Sequence, residues 1–106
     1  MNNTPVDFSW DIFRKNIKTL RKHYHLRQED VAENTGCSRG AYQHCETKGA
    51  GGLLMELCTF WYNNYSITPT DLLIKELKKE DIEKIEKRIK FEQMNKKVKV
   101  AVKKSR

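Results

Sequence analysis

The stretch "QEDVAENTGCSRGAYQHCE", residues 28–46, places Gly36 between two runs of helix-forming residues and puts Ser38 two positions after it. Glycine takes the left-handed conformation that ends a helix without steric strain, and a serine just beyond can cap the next helix. The pattern predicts a helix over residues 28–35 that buries Val31 and Ala32, then a tight turn. A second helix follows over residues 38–47, with Ala41, Tyr42 and Cys45 on its inner face. Helices this short draw most of their stability from tertiary packing, so the flanking segments must complete the core.

The flanks supply it. Trp10, Phe13, Ile17, Leu20 and Tyr24 recur at spacings of three and four, the stripe of an amphipathic helix, with Asp7 or Ser9 able to cap its start. Residues 53–62 are apolar on most sides (Leu53, Leu54, Leu57, Cys58, Phe60, Trp61), as a central helix would be, and Asn63 and Asn64 tolerate a left-handed exit. Between these, "KGAGG", residues 48–52, reads as a flexible loop. "TPTDLL" opens a fifth helix with Thr68 as cap, Pro69 at the first helical position and Asp71 completing a capping box. The fold class is therefore all-α: a flexible N-terminus over residues 1–8, then a five-helix domain over residues 9–77.

Residues 78–106 differ in character. Residues 1–74 hold eight Lys/Arg and eight Asp/Glu, while residues 75–106 hold thirteen and six, so the whole net charge of +7 lies in the last third. Ile82, Ile85 and Ile89 form a short stripe whose next seam positions are Glu92 and Lys96, and an offset stripe of Phe91, Met94 and Val98 takes over. This predicts a charged helix over residues 79–97 and a frayed basic tail. Its stripe serves packing on the domain, dimerisation, or the binding of a partner. No run approaches a membrane span, the N-terminus lacks a signal-peptide layout, and three cysteines without a C-x-x-C pair suit free thiols in a reducing cytoplasm.

With five helices in place, "NIKTLRKHYHLRQEDVAENTGCSRGAYQHCE", a helix, and then "SITPTDLL" resemble the helix-turn-helix domain of the XRE family, which includes the lambdoid phage repressors and Cro proteins. The resemblance covers about residues 13–74. It rests on Leu20-Arg21, "QEDVAENTG", "SRGAY" and Glu46. It implies a lambda-repressor-like domain with an added C-terminal helix, acting as a homodimer on double-stranded DNA without a cofactor.

In that family the third helix enters the major groove. The resemblance makes Arg39, Gln43 and His44 base-contacting residues, since a guanidinium can bond guanine O6 and N7 together and a glutamine can read adenine. Gly40 would allow close backbone approach. Gln28 corresponds to the family's phosphate-binding glutamine, and Arg27, Ser38 and Lys48 would add phosphate contacts. Arg21 and Glu46 would form a structural ion pair between the first and third helices. Two departures stand out. Arg27 replaces the usual hydroxyl cap of the second helix, and "KGAGG" lacks the proline normal in the following loop.

Three other functions compete with this one. Cys37, Cys45, Cys58, His23, His25 and His44 are numerous enough for a metal, but they show no ligand spacing and the cysteines fall at core positions, so no metal is expected. No nucleophile and base form a recognisable constellation, so no enzyme is expected. The substantial alternative is an antitoxin-like or accessory protein whose C-terminal segment, through Ile82, Ile85 and Ile89, binds another protein.

Overall fold

The structure, a computed structural model, describes the backbone of residues 10–49 and 51–104 and side chains as far as Asn95. The N-terminal residues 1–8 and the caps Asp7 and Ser9 lie outside the described residues. Among those described there are six α-helices and no strand: α1 (Trp10–His23), α2 (Gln28–Thr35), α3 (Arg39–Lys48), α4 (Leu54–Tyr65), α5 (Pro69–Leu73) and α6 (Lys79–Lys104), with a 3-10 turn at Gly51–Leu53 before α4. No described helix is long and apolar enough to cross a membrane.

Helix ends follow from local chemistry. Gly36, at φ 74°, closes α2. Its N–H reaches the Glu33 carbonyl and the Cys37 N–H reaches the Ala32 carbonyl, which together satisfy two terminal acceptors in the Schellman pattern. The same pair of bonds ends α1 at His25 (Nα to the Lys22 carbonyl, and Leu26 to the Arg21 carbonyl), although His25 holds φ 58° with a full side chain. The exit from α4 differs from expectation. Asn63 and Asn64 stay helical, Asn64 donating to the Phe60 carbonyl, and Ser66 takes the left-handed turn at φ 57° so that Ile67 can plug the core. At α5 the Thr68–Asp71 capping box is complete.

The core joins Phe13, Ile17 and Leu20 of α1 to Val31, Tyr42, Leu57, Trp61 and Leu72 from the helices that follow. Asn16, polar yet fully buried within the α1 stripe, ties the far end of the domain together. Its amide donates to the Leu72 and Lys75 carbonyls, each at 2.8 Å, and its oxygen accepts the Leu77 N–H at 2.8 Å. A buried asparagine so satisfied turns unpaired backbone at the end of α5 into a fixed corner. Less of "KGAGG" is loop than its composition suggests, since Lys48 ends α3 and Gly51 opens the 3-10 turn. Gly49 is buried at φ 118°, and a Cβ there would lie 3.5 Å from Cβ of Trp10, so the ring roofs this glycine.

Two expectations about apolar faces need correction. The dimer or partner stripe is not available: Ile82 and Ile85 are 1% and 7% exposed and complete this chain's own core, with Ile89 packed half-buried beside them. The stripe therefore packs back on the domain. Polar clasps hold it there, with Arg88 donating to both carboxylate oxygens of Asp71 (3.1 and 2.9 Å) and the Tyr24 hydroxyl donating to Glu86 at 2.8 Å. Helix α6 also continues to Lys104 instead of fraying near residue 97. The second correction concerns α4, which is not enclosed: Leu57, Cys58, Phe60 and Trp61 are buried, but Met55 and Tyr62 face solvent.

Candidate functional site

Helix α3 has two unlike faces. Tyr42, Cys45 and Glu46 are buried, whereas Arg39, Gly40, Gln43, His44, Thr47 and Lys48 are exposed. Helical spacing puts 39, 40, 43, 44 and 47 on one side, so the three expected base-contacting residues share a solvent-facing surface. Ser38 opens the helix, its hydroxyl oxygen accepting the Ala41 N–H at 3.1 Å, which leaves its own proton available to an outside acceptor. A Cβ built at Gly40 would meet nothing within 4 Å, so no packing inside the protein requires glycine there.

What orients this helix is a buried charge network on its inner face. Arg21 donates through Nε to Glu46 Oε2 at 2.6 Å and through a terminal nitrogen to Oε1 at 3.2 Å, and its other terminal nitrogen reaches the Leu26 carbonyl at 3.0 Å. The guanidinium thereby fixes α1, α3 and the turn after α1 in one arrangement. Burial by itself would raise the Glu46 carboxyl, but hydrogen bonding from Arg21, with support from the nearby Tyr42 hydroxyl and the Gln28 amide, outweighs it and holds the pKa below the ordinary range. Burial pushes the Tyr42 hydroxyl up, with Glu46 adding to the shift, so the tyrosine stays neutral beside the charge.

Gln28, expected at a phosphate, uses one of its two amide N–H bonds inside the protein. Its Nε2 donates to Glu46 Oε1 at 3.1 Å, making it a strut between α2 and the buried carboxylate. Arg27 compensates for the missing hydroxyl cap in an indirect way. An arginine cannot accept the cap bond, so the Asp30 N–H turns to the Arg27 carbonyl at 3.1 Å, and the Asp30 carboxylate makes the reverse half of the box, taking the Arg27 N–H at 2.8 Å and the guanidinium at 3.2 and 2.9 Å. Arg39 lies 3.9 Å from Glu29, with both side chains more than half exposed. Exposed pairs of this kind contribute at most about 1 kcal/mol, so a phosphate or base edge can displace either acid.

Burial of Cys45 and Cys58 raises both thiols, as suits core residues, while Cys37 is half-buried at the turn with Sγ 3.3 Å from the Thr35 hydroxyl. Reading the sequence alone missed Asn16, the Gln28 strut and the Trp10 roof over Gly49. Only Asn16 carried a visible signal, a polar residue between Phe13 and Ile17 on an apolar stripe. The chain matches no protein-family model, no curated protein and no solved structure.

Proposed function

We propose that this chain is a sequence-specific DNA-binding regulator with the helix-turn-helix arrangement of the XRE family, acting by occupying an operator. The observation that carries the reading is the outward face of α3. It presents Arg39, Gln43 and His44 together from a capped helix whose inner face is fixed by the Arg21–Glu46–Gln28 network. Such a helix is pre-ordered for the major groove, where base edges offer bidentate partners to arginine and glutamine. Gly40 lets backbone approach the groove at a position that a longer side chain would fill. The free N–H groups at the start of α2, with Arg27, and the hydroxyl of Ser38 supply phosphate contacts.

The front of the molecule is charge-neutral, so the non-specific affinity comes from the lysine-rich end of α6, and it falls steeply with salt. The reading is tested by comparing duplexes selected from a random pool with unselected ones at physiological salt. Preference for the selected duplexes by at least about a thousandfold is expected of a specific reader. Equal affinity for both would reject it.

A further inference from the structure

Arg39 and Glu29 face each other across the turn that joins α2 to α3. Arg39 is the first residue of α3 and Glu29 the second of α2, and Arg39 Nε lies 3.9 Å from Glu29 Oε1. Capping of α2 does not use this carboxylate, since Asp30 answers the Arg27 N–H. Arg27 also lies in the field of Glu29, but its guanidinium is already held by Asp30. On the α3 side Arg39 has open space beside it, because the next residue is Gly40, where even a Cβ would meet nothing within 4 Å. The Arg39 side chain is therefore drawn toward α2 by charge and not by packing.

The edge on which they meet decides what Arg39 can still bind. A guanidinium offers two forks, one made by its terminal nitrogens and one by Nε with a terminal nitrogen. Glu29 stands at Nε, which leaves the terminal fork open. That fork alone can meet O6 and N7 of guanine. A phosphate and a guanine also differ in charge. The Glu29 carboxylate repels an anionic phosphate that approaches Arg39, whereas a guanine edge is neutral. Glu29 thus penalises phosphate at this arginine more than it penalises guanine. Charges this exposed shift an equilibrium by no more than about fivefold.

We infer that Glu29 sets specificity: it positions Arg39 across the turn, withholds it from phosphates and leaves its terminal fork to guanine. The inference rests on the operator reading proposed above and deepens it, through a residue to which the resemblance gives no role. Glu29 is a positioning residue, acting through Arg39 and not on the base itself. An acid in the first turn of α2 also favours the helix through its dipole. That role would change stability without changing which sequences are bound.

The test measures affinities of wild type, Glu29→Gln, Arg39→Ala and the double variant at physiological salt for three duplexes. These are a site selected by wild type, that site changed at the base pair where Arg39→Ala loses preference, and an unselected duplex. Circular dichroism and melting temperature verify folding. Glu29→Gln should bind the changed and unselected duplexes about two- to fivefold more tightly and the selected site by a smaller factor, so that discrimination falls. In the Arg39→Ala background the same substitution should change all three affinities by one factor, because only the general effect of charge remains. In the free protein, NMR relaxation at Arg39 Nε should report greater mobility in Glu29→Gln than in wild type. A uniform change on all three duplexes with Arg39 present, an equal fall in discrimination without it, or unchanged Nε relaxation would overturn the inference. So would an Arg39→Ala variant that loses preference at no base pair. Equal wild-type affinity for selected and unselected duplexes would reject the operator reading and the inference with it, whereas a wild-type preference that Glu29→Gln keeps in full would reject the inference alone.

Discussion

Replacing Glu46 by leucine removes the carboxylate that Arg21 meets in its buried position. The Arg21 side chain is 13% exposed and that of Glu46 3%, so the guanidinium would be left with one backbone carbonyl, that of Leu26, and little water. Breaking one side of a buried pair destabilises by about 3–5 kcal/mol. At the low end that is roughly 12–24 °C in Tm for a domain of this size. Adding Arg21→Met to the same chain removes the stranded charge, and the double variant should lie within about 1–2 kcal/mol of wild type.

Urea unfolding of the two single variants and the double closes the cycle, with a coupling of at least about 2 kcal/mol expected. The folded pKa of Glu46 lies below its ordinary value of 4.5, so its contribution is complete above that pH and is lost as pH falls through the folded value. The acid loss should accordingly be smaller in the double variant than in wild type. A single-variant cost under about 1 kcal/mol, or simple additivity of the two substitutions, would show that Arg21 and Glu46 do not act as a buried pair.

Asn16→Asp should be worse than the isosteric change suggests, because its carboxylate would face the Leu72 and Lys75 carbonyls. We expect a loss of about 3 kcal/mol or more at neutral pH, partly recovered in acid, by thermal melts. His25→Gly should raise stability by about 0.5–1 kcal/mol, since φ 58° strains any residue with a Cβ; an unchanged or lower midpoint in urea would contradict this. Gly40→Ala meets no steric obstacle inside the protein and should stabilise the free chain by about 1 kcal/mol, while duplex binding weakens if backbone approaches the groove there.

Periodicity and caps made most helices legible, because Gly36, Ser38, Thr68 and Pro69 act on backbone within a few residues. The end of α4 was not legible, since Ser66 in place of Asn63 or Asn64 depends on Ile67 reaching the core, a tertiary demand. The same limit applies to Ile82 and Ile85. A stripe states that a helix has an apolar side, and only three-dimensional packing decides what covers it. The outward face of α3 was legible, and so, through the resemblance, was the Arg21–Glu46 pair, but the Gln28 strut that joins it was not. Gln28 was expected at a phosphate through the resemblance; its bond to Glu46, eighteen residues away in sequence, is a contact that no local pattern encodes.

If α3 reads bases through its outward face, Arg39 is the residue on which that reading turns. The most direct measurement is selection from a random duplex pool carried out in parallel with wild type and Arg39→Ala, followed by affinities on single-base variants of the enriched site. Wild type should give one enriched motif, and Arg39→Ala the same motif with preference lost at one base pair, a change of about 1–3 kcal/mol in discrimination there. An identical motif and identical discrimination in both proteins would contradict that reading.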